Sequence, residues 1–412
     1  MDPTTVFAIA ALVFAYGLVS SRIEGSPITA PMLFVSIGWV LGPHGFDWIR
    51  VDGEGVDLVI EVTLVLVLFS DASRIRFSEL RRGYSIPARL LAIGMPLTIL
   101  LGGAFARLFF PELSWAEALL LGAVLAPTDA ALGQVVVSSE RVPIRIRQAL
   151  KVESGLNDGV AVPIVMVLLA AAVVGTSESP SEPSGLSFAL QQIGLGPVAG
   201  VLVAWPAARI VQRAADAGTI ARASQHFAGL AMALGAFAAA ELLGGNGFIA
   251  AFVAGLVLGN TTTTVCEAMQ EFAEEEGQLL ATMAFLMFGA AMLPPVLGAF
   301  DVSVAGYLVL SLTLIRMVPS AIALFGTKLM LPSVGFLGWF GPRGLATILF
   351  AILVAEHAAI PHREAIYQVT VLAVGLSTFA HGATAVGRSV IRLDFRTGPS
   401  ASRSPICQCA GG

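Results

Sequence analysis

Charged residues are scarce in this sequence, and their scarcity excludes an ordinary soluble domain. Only 12% of the 412 residues are Asp, Glu, Lys or Arg, and 56% are hydrophobic, whereas soluble proteins carry about 25% charged residues. Apolar runs of about 18 or more residues recur along the chain, and this is the length that a bilayer core demands. The mean hydropathy of +0.83 agrees. We therefore expect an all-α membrane protein.

The sequence also contains few cysteines and no nucleotide-binding motif of the P-loop type. Cys266, Cys407 and Cys409 make an odd set without metal-ligand spacing, and we interpret Cys407-Gln-Cys as part of the tail rather than a soft-metal site. No G-x-x-x-x-G-K-[ST] motif is present, so we expect no nucleotide and no other cofactor. The net charge of −5, with basic residues clustered beside apolar runs, argues against nucleic acid. No basic residue precedes the first apolar run, so a cleavable signal peptide is not expected.

Thirteen apolar segments are predicted to span the bilayer. At about twenty residues each they use roughly 260 residues, which leaves no linker long enough to separate a second folded domain. We expect a transmembrane domain over 1–392 and a short cytoplasmic tail over 393–412. Segments five, six and twelve contain Pro and Gly and are predicted to be interrupted. The segments lie near 4–21, 28–42, 56–72, 85–107, 115–137, 148–174, 188–211, 226–243, 246–260, 277–297, 302–327, 333–355 and 366–388.

The distribution of Lys and Arg predicts the orientation in the membrane. Loops after odd-numbered segments, together with the tail, hold eighteen of these residues, whereas loops after even-numbered segments hold Arg50, Arg107 and Arg363. Because basic loops stay in the cytoplasm, we expect the amino terminus outside and the carboxyl terminus in the cytoplasm of a plasma (inner) membrane. The 261–277 loop is acidic and is either an amphipathic surface helix or a solvated connector.

Acidic residues occur inside two apolar segments, where lipid disfavours them. An acid at the centre of a spanning helix costs about 2.5–3.5 kcal/mol on insertion scales, so each needs a partner or a function. Hydroxyl and amide side chains accompany these acids, and such oxygens suit a hard monovalent cation that competes with a proton. The segments read A-P-T-D, with Thr128 and Asp129, and E-S-G-L-N-D-G-V-A-V-P, with Glu153, Ser154, Asn157 and Asp158.

These two motifs resemble the paired signature of monovalent cation–proton antiporters, specifically the NhaP/NHE-type sodium/proton exchangers. The resemblance runs from about Val6 to Arg392. It implies an NhaA-like antiporter fold of about 13 transmembrane helices, with an inverted repeat and interrupted helices. It further implies a homodimer, sodium transport and pH homeostasis. Under the repeat, segment five corresponds to segment twelve, and both carry a Gly/Pro interruption, at 126–129 and at 341–344.

Asp158 is the predicted point of competition between cation and proton. Ser154 and Asp158 are four residues apart and share a helical face, as do Glu153 and Asn157. Permanent pairing of Asp158 with a basic residue is disfavoured because only Arg316 and Arg343 lie deep within the predicted segments, away from their ends. The predicted cation ligands are Asp158, Thr128, Ser154 and Asp71, and the wider cation/proton site includes Asp129 and Asn157. A purely structural role for Asp129 is the alternative.

Roles for the two arginines within segments follow from the resemblance. Arg316 resembles the family arginine that pairs with the glutamate, here Glu153. Arg343 resembles the arginine of a G-x-R-G element and would compensate either Asp129 or the negative end of a half-helix. Exchange of partners between the two arginines stays open.

Four further polar residues in the segments have weaker interpretations. Asp71 resembles an acid near the ion path, and a helix-end acid beside Arg74 is the alternative. Asp57 and Glu61 form either an acidic funnel or ordinary solvated charge, and His381 is interpreted as a packing residue.

The predicted function is secondary antiport, not enzymatic catalysis. Electrogenic members of the family that the sequence resembles have Asp where this sequence has the neutral Asn157, so the resemblance implies electroneutral exchange of one cation per proton. Na⁺ is the expected cation, with Li⁺ or K⁺ as alternatives, so a K⁺/H⁺ antiporter and, less favoured, a cation channel remain alternatives. An intramembrane aspartyl protease would need a G-x-G-D element, which the sequence lacks.

Overall fold

The computed structural model describes residues 2–24, 26, 28–50, 53–75, 85–129, 132–133, 142–174, 185–262 and 264–385, and it contains helices and no strand within those ranges. The predicted tail, with Cys407 and Cys409, lies outside them. In chain order the helices are α1 (Pro3–Glu24), α2 (Ala30–Leu41), α3 (Gly53–Ser73), α4 (Ser85–Phe109), α5 (Trp115–Val124), α6 (Ile144–Val174), α7 (Gly185–Asp216), α8 (Arg222–Leu242), α9 (Gly247–Thr261), α10 (Thr264–Met287), α11 (Val302–Leu312), α12 (Leu314–Ala323), α13 (Leu331–Trp339), α14 (Leu345–Glu356) and α15 (Arg363–Ala385).

The helices have the lengths of a multi-pass membrane protein. Seven stretches in the described residues are long and apolar enough to cross a bilayer, and α2, α5, α9 and α14 are shorter apolar helices. Each of the thirteen predicted segments contains at least one helix. The all-α membrane class is therefore confirmed, while the number of spans stays a prediction.

Two of the three predicted interruptions are present. Helix α5 ends at Val124, and the chain is not helical through Asp129; α13 ends at Trp339, and α14 begins at Leu345. The prediction for segment six is wrong, because α6 continues through Pro163. A proline removes one backbone hydrogen bond, and neighbouring helices in a membrane protein can hold the remaining turns together.

One break was not predicted. Segment eleven divides at Thr313 into α11 and α12, and the Thr313 hydroxyl donates to the carbonyl of Val309 over 2.6 Å. Hydroxyl groups that bond to the backbone of the preceding turn bend helices.

The acidic 261–277 stretch is largely helical, as the first of its two interpretations requires, and its position at the membrane surface stays a prediction. Helix α10 begins at Thr264, so most of this stretch forms the first turns of the helix that continues into segment ten.

Small residues let α7 and α9 pack with their backbones close together, and α8 packs against them. A Cβ on Gly200 would lie 2.5 Å from the carbonyl oxygen of Ala250, and one on Gly196 would lie 2.9 Å from that of Asn246. Such glycines at a four-residue spacing are a common device of helix association in membranes. We call this alanine-rich group of helices, α7 to α9, the panel.

The larger apolar core surrounds α5, α6, α10, α14 and α15. This core encloses the two interrupted segments, which carry Thr128, Asp129 and Arg343.

Candidate functional site

The two interrupted segments contact each other through their non-helical residues. The backbone N–H of Asp129 donates to the carbonyl of Pro342 over 2.8 Å. The carboxylate of Asp129 in turn accepts a hydrogen bond from the backbone N–H of Leu345, the first residue of α14, over 3.0 Å. A helix amino terminus carries unpaired N–H groups and partial positive charge, so a carboxylate there is stabilising. Asp129 thus compensates the amino-terminal end of α14.

Arg343 compensates the carboxyl-terminal end of α5. Its Nη1 donates to the carbonyls of Ala126 and Pro127, at 2.9 and 3.2 Å, just past the end of that helix. Its Nη2 donates to the carbonyl of Ser311 over 3.4 Å, at the break before α12. Of the two alternatives for Arg343, the structure favours the negative end of a half-helix. The side chain is fully buried.

Two glycines allow this close approach. A Cβ on Gly344 would lie 1.8 Å from Oδ2 of Asp129, so no other residue fits without moving the carboxylate. A Cβ on Gly341 would lie 2.7 Å from Nε of Arg316 and 2.9 Å from the methyl group of Thr128. The G-x-R-G sequence therefore supplies one arginine and two positions without side chains.

Thr128 connects the first interruption to α6. Its hydroxyl accepts a hydrogen bond from Nδ2 of Asn157 over 2.6 Å and lies 3.4 Å from the hydroxyl of Ser154. All three side chains are buried. The structure therefore brings together three of the neutral oxygen-bearing residues that the sequence singled out.

Asp158 is the next residue of α6 after Asn157, and it is 7% exposed. Its Oδ1 and the Oδ1 of Asn157 are buried and have no hydrogen-bond partner among the described residues. Buried oxygens are almost always satisfied in native proteins, so each such exception calls for an explanation. Asp129 and Asp71 are the acids that interact electrostatically with Asp158.

Glu153 and Arg316 form a buried ion pair between α6 and α12, in which Nη2 of the arginine donates to Oε1 of the glutamate. Each residue is 2% exposed. A pair of opposite charges at this depth removes most of the cost that either would have alone. The pair lies one turn from Asn157 and leaves Asp158 without a basic partner among the described residues.

Asp71, near the end of α3, lies beside α6 at Gly155, a residue that the sequence did not indicate as part of the site. A Cβ on Gly155 would lie 3.1 Å from Cβ and 3.6 Å from Oδ2 of Asp71, so the glycine makes room for the acid beside α6. Asp71 is half-buried. The signal in the sequence was a side-chain-free position inside the E-S-G-L-N-D motif.

Ser377 on α15 is a second residue that the sequence did not indicate. Its hydroxyl accepts a hydrogen bond from the backbone N–H of Arg343 over 2.8 Å and lies 3.0 Å from Nδ1 of His381. The other ring nitrogen of His381 lies 3.0 Å from the carbonyl of Trp339, at the end of α13. The histidine is buried, as its interpretation as a packing residue requires; it contacts the end of α13 directly and the backbone of Arg343 through Ser377.

The two interpretations of Asp57 and Glu61, an acidic funnel or ordinary solvated charge, stay predictions. Glu61 is half-buried in α3, and the side chain of Asp57 lies outside the described residues. No group of three or more His, Cys, Asp or Glu residues suited to a metal ion occurs in the part of the chain that the structure describes.

Comparison with known proteins gives matches over nearly the whole chain. The family model described as sodium/hydrogen exchanger, transmembrane, matches residues 8–386. The K(+)/H(+) antiporter NhaP2 of Shewanella oneidensis is 26% identical over 388 residues, which cover 92% of this chain and 65% of that protein. The Na(+)/H(+) antiporter ApNhaP of Aphanothece halophytica is 31% identical over 243 residues, covering 59% of this chain and 44% of that protein. The chain thus spans about two thirds or less of the length of these relatives.

A solved structure has the same fold. The sodium proton antiporter MjNhaP1 from Methanocaldococcus jannaschii at pH 8 aligns with a TM-score of 0.70 and 21% identity, covering 92% of this chain and 98% of the other. The predicted antiporter fold is therefore confirmed.

Proposed function

Because the chain belongs to the transmembrane sodium/hydrogen exchanger family, we propose that it is a secondary antiporter that exchanges a monovalent cation for a proton. The observation that carries this proposal is the pair of buried, unpartnered oxygens on Asn157 and Asp158. A partly dehydrated cation is a partner that such oxygens accept, and a proton on the carboxyl group is the competing one.

In the proposed mechanism, the carboxyl group of Asp158 binds either a proton or a cation. With its proton bound, the carboxyl group is neutral and needs no cation. After the proton leaves, the carboxylate binds a cation together with Thr128, Ser154 and Asp71, while Asp129 and Asn157 complete the site. Because the two ligands exclude each other, each passage carries one of them, and the gradient of one drives the other.

The neutral amide of Asn157 supports electroneutral exchange. Asp158 is then the residue that changes charge during the cycle, so one cation replaces one proton and no net charge crosses the membrane. Asn157→Asp places two acids side by side, which titrate as a coupled pair. We expect this variant to change the pH profile of exchange, and a membrane-potential dye checks whether net charge now moves.

Na⁺ is the proposed principal cation, and K⁺ is the second candidate. The relatives support both, because their names include Na(+)/H(+) and K(+)/H(+) antiporters. Proton release from vesicles, followed by a pH-sensitive dye after separate additions of NaCl, LiCl and KCl, distinguishes them. The cation that gives the largest signal at the lowest concentration is the substrate.

A homodimer in the plasma membrane is the proposed assembly, with the amino terminus outside and one transmembrane domain, 1–392, ahead of a cytoplasmic tail, 393–412. Single cysteines at Glu112 and Thr219 test the orientation in a chain whose three native cysteines are replaced by serine. A membrane-impermeant maleimide should label the cysteine at Glu112 in intact cells, and the one at Thr219 only after permeabilisation. The reverse pattern contradicts the orientation, and crosslinking in membranes tests the dimer.

The decisive variant is Asp158→Asn, which cannot titrate. We expect it to insert and fold but to lose exchange in proteoliposomes between about pH 5 and 9, well above the ordinary pKa of Asp near 3.9. Glu112→Gln, an exposed acid outside the site, is the matched control and should exchange as the parent does. Substantial proton-coupled cation flux by Asp158→Asn would contradict the mechanism. Cation flux without proton coupling in the parent would indicate a channel.

A further inference from the structure

A polar cavity lies at the carboxyl-terminal ends of α7 and α9, outside the interrupted segments. Its volume is about 460 Å³. The residues that line it are Trp205, Arg209, Gln212, Arg213, Asn260 and Thr261. Nothing in the proposed exchange uses this cavity.

The two arginines give the cavity its positive charge. Arg209 and Arg213 are one turn apart on α7, both are exposed, and neither forms an ion pair with any residue that the structure describes. Arg209 lies over the ring of Trp205, 4.5 Å from its centre, which holds the guanidinium in place and leaves its edge N–H groups available. Two guanidinium groups without an acidic partner, facing one cavity, suit a ligand with several anionic oxygens.

The neighbouring amides and hydroxyl add polarity but do not neutralise this charge. Nδ2 of Asn260 donates to the carbonyls of Ile75 and Leu256, each over 2.8 Å, which orients its side-chain oxygen and fixes the end of α9. Asp216, the acid at the end of α7, accepts a hydrogen bond from Gln212 over 2.8 Å. The carboxyl ends of two helices carry partial negative charge, roughly half a unit each, which two full positive charges exceed.

The surface of α7 that leads to the cavity changes from apolar to aromatic to cationic. Val198, Leu202 and Trp205 are exposed by 50%, 64% and 49%, and with Arg209 and Arg213 they follow the three- and four-residue spacing of one helical stripe. Tryptophan concentrates at the boundary between hydrocarbon and headgroups, and arginine lies just beyond it. The order of side chains matches that of a phospholipid, with its acyl chain first and its phosphate last.

We propose that this cavity binds the phosphate group of an anionic phospholipid, whose acyl chain lies along the stripe from Val198 to Trp205. Arg209 and Arg213 contact the phosphate oxygens. The excess of basic residues assigns this end of α7 to the cytoplasmic leaflet, where anionic lipids give a negative surface potential. The proposal does not depend on which ion the protein transports.

Lipid-dependent thermal stability tests the proposal. The purified full chain in neutral detergent is titrated separately with dioleoyl phosphatidylglycerol, dioleoyl phosphatidylcholine and inorganic phosphate, and the unfolding temperature is followed. A ligand that binds the folded state raises this temperature as its concentration increases, so an apparent affinity can be derived. The variants are Arg209→Gln and Arg213→Gln, and the charge-matched control is Arg145→Gln, an exposed arginine on α6.

We expect phosphatidylglycerol to stabilise the parent and the control with equal affinity. Each cavity variant should need about fivefold more lipid, the effect of one basic residue at a membrane surface. Raising the ionic strength to about 1 M, where the Debye length is about 3 Å, should weaken binding to the parent. Phosphatidylcholine, which has no net charge, should have little effect.

The other outcomes decide the source of the phosphate or reject the site. If inorganic phosphate stabilises with the same dependence on both arginines, and the lipid adds nothing, the site holds a soluble phosphate. Equal affinity of parent, control and both cavity variants for phosphatidylglycerol rejects the proposal. Arg209→Lys keeps the charge and the stem, so it tests the site even if a glutamine variant folds poorly; we expect about a twofold loss because the planar fork is gone.

Discussion

The panel and the two interrupted segments satisfy their backbone polar groups in opposite ways. In lipid every backbone polar group must be satisfied inside the protein. The panel helices α7, α8 and α9 satisfy theirs within each helix, and small residues then let the helices approach closely. The interrupted segments leave backbone groups unpaired at the carboxyl end of α5 and the amino end of α14, and the buried Arg343 and the half-buried Asp129 satisfy them.

The difference shows what each arrangement can do. A surface built from backbone and small apolar side chains packs tightly but offers nothing to a cation. A site built from charged side chains and helix ends keeps polar atoms deep in the protein, and a few of them, on Asn157 and Asp158, have no partner among the described residues. The contact between the two interrupted segments therefore places a polar site in the apolar core.

The ion pair of Glu153 and Arg316 should show the largest effect. Removing one partner of a buried pair leaves an uncompensated charge and typically costs about 3–5 kcal/mol. We expect Glu153→Ala and Arg316→Ala each to reduce the amount of folded protein and its unfolding temperature sharply, and the charge-exchanged double variant to recover part of the loss. Unfolding in detergent, read by tryptophan fluorescence, measures this. Single variants as stable as the parent would contradict the pairing.

Alanine at Gly344 and at Gly200 compares the two regions directly. On Gly200 a Cβ meets the backbone oxygen of Ala250 at 2.5 Å, and overpacking of this kind costs typically about 1–3 kcal/mol. On Gly344 it meets the carboxylate of Asp129 at 1.8 Å, which must leave the end of α14. Gly344→Ala should therefore lose both stability and cation exchange, whereas Gly200→Ala should lose stability and retain the cation affinity. Equal effects on that affinity would remove the distinction between the two regions.

Thr128→Val tests the neutral part of the site with little change in shape. The variant removes the hydroxyl that accepts the hydrogen bond from Asn157, and a lost hydrogen bond that leaves a buried donor unpaired costs about 1–3 kcal/mol. We expect a modest fall in the unfolding temperature and a larger relative fall in cation affinity, measured from the concentration dependence of exchange. Thr327→Val, a hydroxyl far from the site that donates to Leu324, is the control and should leave that affinity unchanged.

The smallest effect is expected for an ion pair outside the membrane. Arg50 donates to Asp47 in the loop between α2 and α3, and this hydrogen bond holds the pKa of Asp47 below its ordinary range. A lowered pKa means that the contribution to stability is present above the ordinary pKa and is lost as the pH falls through the lowered value. Because both groups are fully exposed, solvent screens the pair. Asp47→Asn should leave the unfolding temperature unchanged at neutral and at acid pH, and a clear decrease at neutral pH alone would show that the loop pair matters.

Much of the candidate site could be predicted because its signals are local. A proline at 127 and glycines at 341 and 344 weaken a helix locally, and acids inside apolar segments are conspicuous because they are costly in lipid. Pro163 was expected to interrupt segment six, but α6 continues through it, and the break at Thr313 was not predicted. At Pro163 neighbouring helices can hold the weakened turn, and at Thr313 the hydroxyl bonds to the carbonyl of the preceding turn.

The sequence by itself determined the membrane class, the approximate positions of the helices and the residue types at the site, because hydropathy and backbone chemistry act within a few residues. Only the tertiary structure decided which charges meet. Both arginines were compatible with several partners, and the pair of Arg316 with Glu153 joins residues 163 positions apart. Three further contacts depend on how distant helices approach each other. Arg343 binds the carbonyls after α5, Asp129 reaches the start of α14, and Gly155 makes room for Asp71. Coulombic and hydrogen-bond energies depend on distances of a few ångströms, and these distances exist only once the chain has folded.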